Sequence, residues 1–497
     1  MTLIIDGHTF DYEMGNLCRI FFPYQQIHIT NTIDYGDEIV AYTGVVRQPD
    51  VITLKTVLKI GENRLESEKT ISVHSEVPKG SKNFEQECEL QLAVLLYGLF
   101  TEMCGYTPKW GVLTGVRPIK LLRRLIAEMG RSEAIEYFRN SLLVSGEKTE
   151  LSLQTMENEQ KILALSKPDS FSLYISIPFC PSRCSYCSFV SQTVERAARL
   201  VPDYFKLLCE EIVYTADIAR ELNLRLESVY IGGGTPTTLT AEQLGILLDT
   251  VNLHFNMKTS REFTVEAGRP DTITAEKLLA LKTRGVTRIS INPQTLNDEV
   301  LQGIGRRHTA AQTLEAFDLA RKCGLTNINM DLIAGLPNDT VSSFTATLDQ
   351  VLALEPESIT VHTLALKHSS KITMSGTAQF TSDAEVAGQM LDYADESLAK
   401  SGYLPYYLYR QSRMVGNLEN TGWAKPGYES PYNVYVMDET HTILACGAGA
   451  VSKIKEPGTE KLERIFNFKY PYEYVSRFPE MITRKKRVKE LYGEFCK

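Results

Sequence analysis

The sequence has no N-terminal stretch joining basic residues to an apolar run, and no uninterrupted apolar segment of the roughly 20 residues that a membrane-crossing helix needs. Neither a secretory leader nor a membrane span is expected, and the chain is expected in the cytoplasm. An excess of positive charge is also missing. With 53 Lys and Arg against 61 Asp and Glu the formal net charge is -8, which is unsuited to neutralising phosphates, so no nucleic-acid partner is expected. The one basic block, Arg484-Lys485-Lys486-Arg487-Val488-Lys489, reads as a solvated terminal helix. No histidine-rich tract occurs, and no paired Cys or His groups carry the spacing of a structural zinc site. Of the 10 cysteines, Cys18, Cys88, Cys104, Cys209, Cys323, Cys446 and Cys496 are scattered, as small core or surface thiols are.

The other three are grouped. In Tyr174-Ile175-Ser176-Ile177-Pro178-Phe179-Cys180-Pro181-Ser182-Arg183-Cys184-Ser185-Tyr186-Cys187-Ser188-Phe189 an apolar strand runs directly into a C-x3-C-x2-C loop. Three soft thiolates on a short loop suit an iron–sulfur cluster, whose irons normally each take a cysteine. No fourth cysteine lies nearby, so one iron of a four-iron cluster is left open, and an open coordination position is the mark of a catalytic metal. Zinc would need a fourth ligand that this region does not offer, and a disulfide does not suit clustered thiols in a chain without secretory features. Three unrelated buried cysteines are the remaining alternative.

Around this loop the chain divides into an expected β-rich module at 1–80, a helical connector at 81–168, a βα-alternating region at 169–370 and a C-terminal α+β region at 371–497. Met1 to Ile5, Arg19 to Phe22, Glu38 to Val46 and Val51 to Ile60 read as short strands. Helical spacing runs from Asn83 to Tyr106, and Trp110 to Pro118 reads as a turn feeding a helix over Ile119 to Met129. From Phe171 onward, strand-like runs at Leu173–Ile177, Ser228–Ile231, Phe263–Ala267, Arg288–Ile291, Asn327–Ile333 and Ser358–Thr363 alternate with helical stretches. Such βα series imply a parallel sheet, curled into a partial barrel or left open, with ligands at the C-terminal strand ends. The cysteines follow the first strand, Gly232-Gly233-Gly234-Thr235-Pro236 the second, Glu266 ends the third, and Gln294 follows the fourth. Glycines allow close backbone approach, Glu266 offers acceptors to a ribose or ammonium group, and Arg306 and Asp331 are opposite charges, satisfied by each other or by a zwitterionic ligand.

The cysteine loop resembles the signature of the radical S-adenosylmethionine (SAM) superfamily. In order and spacing the other residues resemble the oxygen-independent coproporphyrinogen III dehydrogenase family, most closely its HemZ-type branch. The resemblance is close over about 171–370 and looser in the tail. It implies an α/β fold, a partial (β/α)6 barrel with an N-terminal β-rich and helical module and a C-terminal α+β extension. It implies a [4Fe-4S] cluster on Cys180, Cys184 and Cys187, and a SAM site formed by Tyr174, Tyr186, Gly233, Gly234, Thr235, Glu266, Gln294, Arg306 and Asp331. The implied activity is radical conversion of two coproporphyrinogen III propionates to vinyl groups, giving protoporphyrinogen IX. The implied partners are that porphyrinogen and a low-potential electron donor such as flavodoxin or ferredoxin. A tetracarboxylate substrate needs cations, for which Lys367, Arg410 and Arg413 are candidates. Four residues at three places depart from the family pattern: Ser176 stands for a usual histidine, Asn292-Pro293 for Gly-Val, and Val451 for a histidine of the tail. They loosen the substrate assignment, and a methyltransferase, a porphyrin-opening enzyme or a haem-binding chaperone are the alternatives.

Overall fold

The computed structural model describes residues 1–365, 377–411 and 413–495, with backbone alone for 377–382. The first 72 residues form a five-stranded sheet of β1 (Thr2–Asp6), β2 (His28–Thr30), β3 (Ile39–Arg47), β4 (Val51–Ile60) and β5 (Asn63–Ser72), in the order β2-β1-β3-β4-β5. β5 carries alternating Arg, Glu and Lys on an exposed edge, which blunts that edge against further pairing and hides its strand character in the sequence. The strand expected at Arg19 to Phe22 is instead the end of a helix, Asp11–Phe21. Met14, Leu17, Cys18 and Phe21 recur at helical spacing and are all buried. Phe21 stacks on Phe100 at 4.8 Å, in the helix Phe84–Cys104, which Asn83 caps by accepting the Gln86 amide at 2.9 Å.

The remaining major strands share one sheet. Six parallel strands, β6 (Ser170–Ile177), β9 (Arg225–Gly233), β10 (Glu262–Glu266), β11 (Arg288–Ser290), β12 (Ile328–Ala334) and β13 (Ser358–Thr363), lie side by side in chain order. A two-stranded ribbon, β7 (Phe179–Cys180) with β8 (Gln192–Thr193), brackets the cysteine loop. The interior positions Leu173, Ile175, Ile177, Val229, Ile231, Val265, Ile289 and Leu332 are fully buried, as parallel strands covered on both faces require. Crossover helices begin at defined caps. Thr240 with Gln243 and Thr309 with Gln312 each form a reciprocal capping box.

C-terminal strands extend both edges of this sheet. β14 (Leu404–Tyr409) and β15 (Asn420–Ala424) lie antiparallel beyond β13, while β16 (Thr442–Cys446), β17 (Val451–Lys455) and β18 (Leu462–Phe466) continue past β6. β16 runs parallel to β6, with Cys446 beside Ile175, so the tail is built against the strand that delivers the cysteines. Lys485 of the terminal basic block is not solvated: its ammonium is buried, 2.9 Å from Glu211 and 2.6 Å from the Ala445 carbonyl. Its neighbours Arg487 and Lys489 are half-exposed and pair with Glu490, Glu494 and Glu221. The connector is tied to the sheet by Lys148, fully buried between Asp395 at 2.9 Å and Glu419 at 2.5 Å. Trp110 donates its indole N–H to the same Glu419 at 2.7 Å.

Candidate active site

Strand β6 hands the chain through Pro178 to Cys180, and the glycine turn after β9 packs directly beneath. The Gly234 amide donates to the Ile177 carbonyl and the Thr235 amide to the Phe179 carbonyl, each at 2.8 Å. A β-carbon at Gly234 would fall 2.7 Å from the Phe179 oxygen and 2.9 Å from Cys180 Sγ, and one at Gly232 would fall 2.9 Å from the Glu266 carboxyl carbon. Gly233 has φ of +107°. Glycine is therefore imposed by space at Gly232 and Gly234 and by backbone conformation at Gly233. The far end of the cysteine loop is held by Ser185 N–H to Ile304 O at 3.0 Å and Ser182 Oγ to Gly305 O at 2.9 Å.

Cys180, Cys184 and Cys187 all line one cavity of about 500 Å³. Thr235 donates its hydroxyl to Cys180 Sγ at 3.6 Å, and Arg269 directs Nη1 at Cys184 Sγ at 3.8 Å. Burial raises the Cys180 thiol and pushes the Cys187 thiol up to about 11, and a bound cation draws such protons off. Among the described residues no three Cys, His or carboxylate side chains converge as a single ion requires. A cluster has no such need, since each thiolate takes its own iron. Three soft donors without a fourth thus fit a four-iron cluster and do not fit zinc.

Every residue expected to hold SAM lines this same cavity: Tyr174, Tyr186, Gly233, Gly234, Thr235, Glu266, Gln294, Arg306 and Asp331. Glu266 accepts the Tyr230 hydroxyl at 2.7 Å, and burial lifts its carboxyl to about 7 against that hydrogen bond. Asp331 is partly buried, but contacts with His362 at 3.8 Å and the Asn329 amide at 2.7 Å outweigh desolvation and hold it below the usual carboxylate range. Arg306 donates to the Asn292 carbonyl at 2.6 Å and to the Tyr186 hydroxyl at 3.3 Å, and its buried Nε has no partner among the described residues. The opposite charges Arg306 and Asp331 are thus held by separate neighbours, which leaves each available to a zwitterion. Gln294 sits at φ of +67°, its amide donating to Asp331 O at 2.9 Å and its carbonyl accepting Ile333 N–H at 3.0 Å. This uncommon backbone conformation joins the turn after β11 to β12.

The expected substrate cations are not brought together. Lys367 lies outside the described residues. Arg410 is buried, donating to the carbonyls of Leu113 at 2.9 Å and Asn417 at 3.1 Å and lying over the Trp110 ring at 5.2 Å, so its guanidinium fastens the connector and does not line the cavity. Arg413, half-buried at φ of +64°, is also outside the cavity wall.

Other wall residues were not foreseen. Arg269 follows Glu266 on the same loop, three residues beyond the strand end, and that placement was its signal. Tyr230 shares β9 with the glycine turn and stacks on Tyr432 at 4.4 Å, which stacks in turn on Tyr174 at 6.2 Å. Tyr432 comes from a C-terminal helix, Pro431–Asp438, and no local pattern marks it. Among the described residues, Arg288, 2 % exposed, donates to Ser358 Oγ at 3.3 Å and leaves Nε unpartnered. His362 is the imidazole of the cavity wall. Ser176, where the family pattern has histidine, turns its hydroxyl to the Ala448 carbonyl at 2.9 Å and so binds β6 to the tail.

Residues 174–351 match the family model of the radical SAM superfamily. The chain is 40% identical over 385 residues to the oxygen-independent coproporphyrinogen-III oxidase-like protein HemZ of Bacillus subtilis, covering 77% of each chain. It is 30% identical over 315 residues to the heme chaperone HemW of Haemophilus influenzae, covering 63% of this chain and 77% of that one. A solved structure of coproporphyrinogen III oxidase (HemN) from Escherichia coli shares the fold, with a TM-score of 0.50 and 24% identity over 68% of this chain and 74% of that one. With the motif, the glycine cradle and the sheet in agreement, the chain belongs to the radical SAM superfamily, whose cofactors are a [4Fe-4S] cluster and SAM, and within it to the oxygen-independent coproporphyrinogen III oxidase-like family, on the HemZ-type branch.

Proposed function

We propose that this protein oxidatively decarboxylates propionate side chains of coproporphyrinogen III to vinyl groups, releasing carbon dioxide and giving protoporphyrinogen IX. The observation that carries this reading is the continuity of the cavity. The wall that holds the three thiols and the SAM residues runs on to Tyr407, Tyr409, Gln411, Val436 and Met437, a largely aromatic and apolar surface suited to a macrocycle. A cluster held by Cys180, Cys184 and Cys187 would supply the one electron that cleaves SAM for hydrogen abstraction, and conversion of the propionate to a vinyl group would then release carbon dioxide and pass one electron to an acceptor. The chain's own residues position and shield. Glu266, Asp331 and Arg306 offer charges complementary to the ends of SAM, and the glycine turn lets backbone approach it closely. The stacked Tyr174, Tyr230 and Tyr432 side chains exclude water beside the reacting bond, and alignment of that bond supplies much of the rate.

A haem-binding chaperone is the second reading. It is favoured by the relative so named and by His362 and Met437 in the cavity wall, both of residue types that serve as axial haem ligands. Anaerobic incubation of the cluster-loaded protein with coproporphyrinogen III, SAM and a reductant separates the two. Protoporphyrinogen IX with carbon dioxide supports decarboxylation. No turnover there, with stoichiometric binding of haem added in a parallel incubation, supports the chaperone, and a methylated or ring-opened product refutes both.

A further inference from the structure

We propose that the outer face of the cysteine loop is the docking surface for a small acidic protein that carries one electron. The proposal rests on the cluster assignment above and concerns how the cluster is reached from outside. A groove of about 1190 Å³ adjoins the cluster cavity along the cysteine loop. Ser182, Arg183, Ser188, Ser191 and Arg306 line both spaces, so the groove and the cavity that holds the thiols share a wall.

The charge of this face is opposite to that of the chain. Arg183, Arg196, Arg307 and Lys469 line it and are exposed. Its acidic residues are Glu195 and Asp298. Asp298 accepts the Ala310 amide at 2.7 Å. Glu195 reaches Arg307 only at 4.0 Å, with both side chains at least 70% exposed, a pairing that holds little of either charge. The other basic side chains of the groove, Arg306 and His308, are buried, and desolvation pushes His308 down to about 4, so it adds no charge near neutral pH.

Aromatic surface adjoins the cations. Tyr470 and Tyr472 stack at 5.5 Å on the groove wall, 39% and 52% exposed. Phe189 of the cysteine loop and Phe466 of β18 stand nearby on the wall of an adjoining cleft that also contains Lys469, 61% and 58% exposed. Exposed aromatic residues amid cations are what protein interfaces favour. An acidic carrier is repelled by most of a chain of net charge -8 and is steered to this patch. The transfer moves one electron from the reduced carrier to the cluster, with no bond made or broken.

The test uses the anaerobically cluster-loaded full chain, an acidic flavodoxin as probe, and the variant Arg307→Glu/Lys469→Glu, which leaves the cysteine motif intact. Binding is followed by flavin fluorescence at about 50 mM and 200 mM salt, and cluster reduction by loss of visible absorbance. The expected result is binding by the wild type that weakens with salt, and at least about 10-fold weaker binding with slower flavodoxin-driven reduction in the variant. Bleaching by dithionite should be the same in both proteins. Equal flavodoxin binding and reduction in the two proteins, or no binding by the wild type at low salt, overturns the proposal. Failure of the wild type to take up a cluster instead overturns the cluster assignment, and the absorbance before any carrier is added reports that separately.

Discussion

The carboxyl of Glu266 offers a test that needs no porphyrinogen. It is partly buried, lifted to about 7 by desolvation, and shares the site with Asp331, while Tyr230 and the more distant Arg288 favour its charged form. A cationic ligand group needs the carboxylate. If SAM binds the ionised form, its affinity should rise about 10-fold per pH unit below 7 and level off above it. Between pH 6 and pH 8 the expected gain is roughly 10-fold. Glu266→Gln removes both the charge and the slope, and loss of a hydrogen bond to a charged group costs about 1.5 to 3 kcal/mol, or roughly 10- to 150-fold in Kd. The same raised carboxyl predicts a stability change in the cofactor-free protein. The folded state binds a proton that the unfolded state has released between about 4.5 and 7, so this group costs about 3 kcal/mol as pH rises through that window. Equilibrium dialysis of SAM against the cluster-loaded protein at pH 6, 7 and 8 gives the affinities. A flat profile in the wild type, or the same slope in Glu266→Gln, would refute the reasoning.

Other expectations follow from single contacts. Cys184→Ala should remove the cluster's visible absorbance and SAM cleavage together, and retained cleavage would exclude this thiol as a ligand. Gly234→Ala places a β-carbon 2.9 Å from Cys180 Sγ, so iron content after reconstitution should fall while the circular dichroism of the fold persists. His362→Ala removes the imidazole that helps keep Asp331 ionised; the Asp331 carboxyl should rise, and SAM affinity should be lost at acidic pH before neutral pH. Lys148→Met leaves Glu419 and Asp395 without their buried partner and should cost about 3 to 5 kcal/mol in urea unfolding.

The parallel sheet was legible because its strands are buried on both faces. Runs such as Leu173 to Ile177 and Ser358 to Thr363 are mostly apolar or β-branched, and the pattern breaks most sharply where strands end at the site. Those breaks are the cysteines, the glycine turn, Glu266 and Gln294, and they share one cavity. Legibility failed where the deciding contact lies far along the chain. Arg19 to Phe22 has strand composition, yet the helix Phe84–Cys104 offers Phe100 to one helical face. Tyr432 and Arg410 are an unremarkable tyrosine and arginine in the tail. Only the packing of the tail on the sheet puts the first over Tyr174 and spends the second on backbone carbonyls. His362 alternates inward on β13 between Thr360 and Thr363, a pattern the strand displays, but its partner Asp331 is visible only across the β12–β13 register.

The central claim is that three thiols leave one iron free for SAM. Mössbauer spectroscopy of protein reconstituted anaerobically with iron-57 and sulfide, recorded before and after SAM is added, tests it most directly. The account predicts about four irons per chain, one of which changes its signal on SAM addition, with 5'-deoxyadenosine formed once an electron is supplied. Four equivalent irons indifferent to SAM, or a colourless protein that keeps zinc, would contradict it.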